Sequence, residues 1–456
     1  MKTKVDMTQG KMMPLVLKFA LPALVANILQ LLYTTVDTWV VGNYCTNEAL
    51  AAVGTSSQPV EIFLHLFTGL AGGVTIMVAQ AAGAKDGEKI KKTVKTASSF
   101  LYFVAIPLTI LGLLFGRFVL ILMQVPAEAF SYALTYMQIL FLGTLGSLGY
   151  NMNAGILRGI GDSISSLIFL IISSVMNIGL DLLFTAVWGM GVFGVAFATI
   201  IAQFVSWFSS MVYLKRRFPE IGYTPIPGKI DGDCIREELR TGLPLGFNNS
   251  VYSVGHTVLQ TVINMQGVDF AAGATIGTKV ISFATLATTA FSQAAMTYAG
   301  QNYGAHNYER LKRGHLRIPL FSALVAFIGG TVVTIFAGPI AGCFNKSAEV
   351  VGFAVRYVRV VLPFHWCYSI FNGIINYAHG VKEIIYPTII NVLALWAIRI
   401  PAAFILNACG LGGYCMAGIS ISFVCGMAGM LIYYLTPGWK RIMSGMPQND
   451  AKCGAD

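Results

Sequence analysis

Residues 18–41 read KFALPALVANILQLLYTTVDTWVV, and residues 240–263 read RTGLPLGFNNSVYSVGHTVLQTVI. Laying Pro22 on Pro244 also brings Thr35 onto Thr257 and Val36 onto Val258, but it puts Leu259 where the first copy has Asp37. Asp37 is the sole charged residue between Phe19 and Val41. A lone carboxylate within a membrane-length apolar stretch is costly, up to roughly 2.5–3.5 kcal/mol at a helix centre on insertion scales, and such groups usually mark ion or proton sites. A second half without it implies that the two halves divide the labour.

The repeat runs on along the chain. Gln80, Gly83 and Ala84 of VAQAAGAKD match Gln301, Gly304 and Ala305 of AGQNYGAHN. Gly155 of NAGILRGIGD matches Gly373 of FNGIINYAHG, and Gly189 and Thr199 match Gly410 and Ser420. Of the 456 residues, 55% are hydrophobic and 11% charged, with a mean hydropathy of +0.69. About 20 apolar residues cross a bilayer core of roughly 30 Å. Cut at that length, the chain yields predicted spans at 14–42, 57–84, 93–116, 127–151, 163–186 and 191–214. The second half yields 238–265, 276–303, 315–338, 348–376, 383–408 and 412–436. The expected fold is therefore an all-α integral membrane protein with twelve transmembrane helices in two pseudo-symmetric six-helix lobes. Because six is even, both copies enter the membrane from one side, an arrangement typical of secondary transporters that bind near the repeat interface.

Charge fixes the expected orientation. Basic clusters at Lys2–Lys18, Lys85–Lys95, Lys215–Arg240 and Arg310–Arg317 all fall on one side of this topology, leaving Arg117, Lys279, Lys346, Arg356 and Arg359 on the other. The positive-inside rule then places both termini in the cytoplasm, in a multi-pass protein of the cell membrane. The net charge of +10 is accounted for by loops facing anionic headgroups rather than by nucleic-acid binding. The expected division is an N-lobe at 1–214, a cytoplasmic linker rich in Pro and Gly at 215–236, a C-lobe at 237–436 and a cytoplasmic tail at 437–456. No signal peptide is expected, since the first apolar run is too long for an h-region.

Several chemistries are argued against. Gly189-Met190-Gly191-Val192-Phe193-Gly194 matches a dinucleotide fingerprint in letters only, because that motif requires a preceding strand and this one follows a membrane span. There is no Walker A lysine motif, no nucleophile–base pair and no cluster with metal-ligand spacing, so the chain is expected not to be an enzyme and to need no cofactor. The eight cysteines lack CxxC spacing, and those in apolar helices act as small hydrophobes.

At 1.5 Å of rise per residue, Asp37 lies roughly 8 Å from the outer end of its span, Asp181 roughly 9 Å and Thr199 about 12 Å. Asn177, four residues before Asp181, shares its face. Two carboxylates, an amide and a hydroxyl from three helices thus fall in one layer, a set suited to Na⁺ or to a proton shared between two nearby acids. The competing local reading has Asp37 and Asp181 capping or bonding for packing, and Thr199 bonding its own helix. Tyr33, one turn before Asp37, and Tyr136 and Asn153 on the fourth span either support this site or glue helices together. Arg399, the buried charge of the second half, sits near the position equivalent to Asp181 and either anchors an internal network or attracts an anionic group.

These motifs, read in order, resemble the multidrug and toxic compound extrusion (MATE) family, and specifically its DinF-type prokaryotic branch. The resemblance rests on the helix from Pro22 to Asp37, EALAAVG at Glu48–Gly54, VAQAAGAKD, LRGIGD at Leu157–Asp162 and Asn177-x-x-x-Asp181, and it spans essentially the whole chain. It implies a twelve-helix antiporter exporting organic, often cationic or amphipathic, compounds against entering Na⁺ or H⁺, with no other cofactor. It also implies that Asp37, Asn177, Asp181 and Thr199 bind the coupling cation and that Pro22 is where the first helix bends. Second-lobe acids used by another branch are absent, since Leu259 stands in the seventh span. Expected partners are a small organic substrate and membrane lipid, with a monomeric chain. The alternative within the superfamily is a flippase for lipids or lipid-linked oligosaccharides.

Overall fold

The computed structural model describes residues 4–123, 125, 127–344 and 347–445. Residues 446–456 of the predicted tail, and the side chains of Glu48 and Thr257 in the motifs above, lie outside that description. In the first half, α1 is Met12–Tyr44, α2 Asn47–Gly83, α3 Gly87–Leu122 and α4 Ala127–Leu142. There follow α5 Thr144–Ile160, α6 Ser163–Asp181 and α7 Gly191–Arg217. The second half comprises α8 Gly232–Asn264, α9 Val268–Gly304, α10 Tyr308–Ile335, α11 Ala337–Gly342 and α12 Ala348–Val361. It ends with α13 His365–Gly380, α14 Ile385–Leu393, α15 Ile400–Ala408, α16 Ala417–Leu435 and α17 Pro437–Ser444.

Each predicted span coincides with helix. Ten are long and apolar enough to cross a membrane, and the α4–α5 pair, bent by 47°, makes up to 11. The remaining predicted span, 238–265, lies in α8, whose stretch FNNSVYSVGHTVLQ carries too many polar side chains to register by hydropathy. The fourth and tenth spans are not single rods. Gly143 separates α4 from α5, and the 3₁₀ turn Leu362–Phe364, with Pro363 at its start, separates α12 from α13. Proline cannot donate the helical hydrogen bond and crowds the preceding turn. α1, by contrast, runs unbroken through Pro22.

Large apolar side chains cover the outer surface, as Leu114, Phe115, Phe118 and Leu122 of α3 illustrate. Water would leave such a face unstable, whereas lipid tails solvate it while the helix satisfies its own backbone.

The repeated loop motif has a local cause. Lys85 and His306 adopt left-handed backbone (φ 56° and 53°), turning the chain between consecutive helices. The next residue caps the helix that follows: Asp86 accepts from the Lys89 amide at 2.9 Å, and Asn307 accepts from the Arg310 amide at 3.3 Å. Asp86→Ala is therefore expected to destabilise the protein by about 1 kcal/mol, seen as a lowered midpoint in thermal unfolding in detergent.

By contacts the chain forms two compact units, and they are not divided at the linker. One unit comprises residues 1–5 and 25–250, the other 6–24 and 251–456. In this division the linker and the first part of α8 fall with the first unit, and the start of α1 with the second. Two interactions account for these placements. In the first unit, Gly69-x-x-x-Gly73 of α2 meets Gly242-x-x-x-Gly246 of α8, so closely that a Cβ on Gly242 would lie 2.7 Å from the Leu70 Cα. Small residues at this spacing let helix backbones approach in a membrane. In the second unit, fully buried Met7 donates from its amide to Gln301 Oε1 at 2.9 Å. Its carbonyl accepts from Asn302 Nδ2 at 3.1 Å and Arg310 Nη2 at 3.0 Å. Arg310→Ala is expected to cost about 1.5–3 kcal/mol, the value of hydrogen bonds from a charged donor, and to expose the strap before α1 to proteolysis.

The linker itself packs on the first unit. Tyr102 donates to the Pro225 carbonyl, Gly228 N donates to Ser99 Oγ at 2.9 Å, and Ile221 and Tyr223 join the core formed by Val78, Ile156, Leu157 and Leu214. At the other end of the chain, α17 buries Trp439 in a stack on Tyr434, with ring centroids 4.4 Å apart.

Candidate functional site

Asp37 and Tyr33 project from α1, Tyr136 from α4, Asn177 and Asp181 from α6, and Thr199 from α7, all within the first unit. The four-residue spacings Tyr33–Asp37 and Asn177–Asp181 put each pair on one helix face. α6 and α7 pack along their lengths through small side chains. Ser173 donates to the Ala202 carbonyl at 3.2 Å, and Ser206 donates to the Phe169 carbonyl at 3.0 Å. This contact sets Asn177 opposite Thr199, and Asn177 Nδ2 donates to Thr199 Oγ1 at 3.4 Å.

The Asp37 carboxyl faces both Asp181 and Asn177. Tyr33 lies beside Asp37 and Thr199, and Tyr136 is within electrostatic reach of both carboxyls. Asn177 and Asp181 are 0% exposed and Asp37 8%. Within this cluster Asp37 Oδ1, Asn177 Oδ1, both Asp181 oxygens and the Tyr33 hydroxyl have no hydrogen-bond partner among the described residues. Buried acceptors left without donors are expensive and rare. Paired carboxylates in a low dielectric need a positive partner between them, and oxygen-only ligands suit a hard cation or a proton. The donor set therefore fits either species.

Asp181 closes the α-helical part of its span. Directly after it, Leu182–Val187 adopt a π-helical turn, a widened form frequent at functional sites. Arg399 of the second unit also adjoins a π-helical turn, but from the other side, as the last residue of Ala394–Arg399. Hydropathy and repeat matching carry no signal for these widened turns, because hydrogen-bond register is invisible in residue pattern.

Asn153 is not part of the cluster. Its amide donates to Ser210 Oγ at 2.9 Å and lies beside Tyr223 of the linker. Ser210 is eleven residues beyond Thr199 along α7, about 16 Å away by helical rise. Asn153 instead ties α5 to α7, the inter-helix role weighed above. A further buried acid escaped the sequence reading. Glu238, 1% exposed near the start of α8, has neither carboxylate oxygen bonded among the described residues. It stands among Arg236, Glu237 and Arg240, so its neighbourhood in sequence resembles an ordinary charged helix end.

Comparison with known proteins agrees with the fold and the repeat. The MatE family model matches twice, at residues 22–183 and 244–405, beginning in both cases at the prolines whose superposition defines the repeat. The chain is 29% identical over 418 residues to a protein of Bacillus subtilis named probable multidrug resistance protein YoeA, covering 88% of this chain and 89% of that one. It is 26% identical over 401 residues to the probable multidrug resistance protein NorM of Thermotoga maritima, covering 86% and 84%. A solved structure described as the outward-facing conformation of a multidrug resistance MATE family transporter of the MOP superfamily aligns at 23% identity with a TM-score of 0.87, over 97% of this chain and 98% of that one. Two matches of the family model, spaced as the internal repeat requires and together covering most of the chain, establish that this protein belongs to the MatE family of multi-pass membrane transporters.

Proposed function

We propose that this protein is a secondary active antiporter that exports organic compounds, cationic or amphipathic in character, in exchange for Na⁺ or H⁺ bound at Asp37, Asn177, Asp181 and Thr199. The observation that carries the reading is the cluster of buried oxygens without partners among the described residues, supplied by α1 and α6 and flanked by Thr199 of α7. The printed names of the relatives, multidrug resistance and multidrug export, support the substrate class. The basic clusters of the sequence support a cytoplasmic-membrane protein with both ends inside.

In this scheme the carboxylates of Asp37 and Asp181 take up the cation, while Asn177 and Thr199 supply neutral oxygens and Tyr33 closes the flank. Binding one positive charge neutralises the site and favours whichever packing of α1 against α6 and α7 brings the acids together. A ligand shifts such an equilibrium only by its differential affinity for the two states.

The test uses purified protein in sealed proteoliposomes loaded with ethidium, with Na⁺ and H⁺ gradients imposed separately. One gradient is expected to drive dye movement well above protein-free vesicles, and that gradient identifies the ion. Dye movement at the protein-free rate under both gradients would overturn the proposal.

A further inference from the structure

The second unit contains a cavity of about 300 Å³ walled by Tyr252, Tyr357, His365, Tyr368, Arg399 and Phe423, with the hydroxyl-bearing face of α9 across from them. Arg399 is 5% exposed. Its Nε donates to Ser422 Oγ at 2.9 Å and its Nη1 to the Tyr252 hydroxyl at 3.3 Å. The guanidinium lies between two rings, 5.6 Å from the Tyr252 centroid and 5.3 Å from that of Phe423. All these partners are neutral.

Among the described residues no carboxylate pairs with this charge. Among the described residues the ion pairs are Lys89–Glu237, Lys91–Glu88 and Arg313–Glu309, none of which involves Arg399. From α9 to α16 the acids are Asp269, Glu309 and Glu349 in first turns and Glu383 in the turn before α14, so none lies within the helical interior. A buried charge kept only for packing would be paired, since its uncompensated desolvation costs several kcal/mol. Arg399 Nη2 makes no hydrogen bond among the described residues.

We propose that this cavity binds the anionic group of an aromatic organic acid or zwitterion, with the guanidinium of Arg399 receiving the carboxylate and the Tyr252, Tyr368 and Phe423 rings receiving the aromatic body. The chemistry follows from the parts. A planar guanidinium matches a carboxylate in two parallel hydrogen bonds, which a lysine ammonium cannot do. Ring centroids 4.7 Å apart at Tyr368 and Phe423 leave an apolar wall beside the charge, so amphipathic acids are favoured over small inorganic anions. The inference deepens the transporter reading above and rests on it for the term substrate. It reverses the sign of the recognised group, since the acids of the first unit face a cation and the base of the second faces an anion.

The experiment compares naphthalene-2-carboxylate with its methyl ester, titrated calorimetrically into the full-length protein in lipid nanodiscs, with empty nanodiscs subtracted. The acid is expected to bind wild type about 10- to 100-fold more tightly than the ester. Arg399→Gln should remove that preference, and Arg399→Lys should retain part of it. Thr285→Phe, which fills the cavity without altering any charge, should abolish binding of both probes. Equal affinity of acid and ester for wild type overturns the proposal, as does an undiminished preference for the acid in folded Arg399→Gln. The wild-type comparison decides even where a variant fails to fold. No gradient is present, so failure of ion-driven export with the preference for the acid intact would reject the coupling reading alone.

Discussion

Asp37→Asn is expected to reduce gradient-driven dye export to the rate of protein-free vesicles while leaving the protein folded. The change keeps the size and shape of the side chain but removes one of the two negative charges facing each other between α1 and α6. A site built from Asp181, Asn177 and Thr199 alone has lost half its charge, so neither Na⁺ nor a proton can be held and released in the same way. Folding should survive, because α1 is anchored by buried Phe19, Ala20, Val40 and Val41 rather than by the carboxylate. Removing one member of a like-charged buried pair also relieves repulsion, so the thermal midpoint should hold or rise. Export and melting measured together separate the outcomes. Wild-type uphill export by the variant would remove Asp37 from the coupling site, whereas a collapsed midpoint would give it the packing role instead.

Gly246→Val is expected to abolish production of monodisperse protein. A Cβ on Gly246 collides with the Leu66 carbonyl oxygen, and one on Gly69 collides with the Gly246 amide. These obstacles are backbone, not the movable end of a side chain, so relief requires α2 and α8 to separate along their whole crossing. Separation forfeits the packing of Gly73 against Gly242 as well, and overpacking of this kind costs about 1–3 kcal/mol or more. Valine is a better helix former than glycine, but that gain of a few tenths of a kcal/mol, on the order of 0.5, does not offset the collision. Gly72→Ala is the matched control. Its Cβ would meet Leu245 Cδ1 at 3.5 Å, an ordinary contact, so yield and midpoint should be at least those of wild type. Size-exclusion profiles in detergent read both variants. A well-behaved Gly246→Val protein would show that the close crossing does not hold the start of α8 in place.

Much of the site was legible before the fold. Depth along a helix is simple arithmetic, so Asp37, Asp181 and Thr199 could be assigned to one layer, and four-residue spacing added Asn177 and Tyr33. Depth says nothing of azimuth, however. Tyr136 lies in the fourth predicted span and Asn153 two residues past its end, on the same run of helix, yet the bend at Gly143 and the packing of α5 on α7 send Asn153 to Ser210, while Tyr136 stays with the acids. Glu238 was hidden for a related reason: Arg236 and Arg240 beside it are exposed and Glu237 pairs with Lys89, and only the position of α8 against α2 turns this one acid inward.

By itself the sequence determined the class, the number of spans, the two-fold repeat and the asymmetry of charge between the halves, with Asp37 in one and Arg399 in the other. Those properties are written in hydropathy, spacing and identity, each local to a stretch of chain. Tertiary structure alone decided where the compact units divide, which way each polar side chain faces and that Arg399 borders a cavity rather than an acid. Such features depend on which helices approach and how closely. That is settled by small residues such as Gly69, Gly73, Gly242 and Gly246, whose effect appears only when a second helix lies against them.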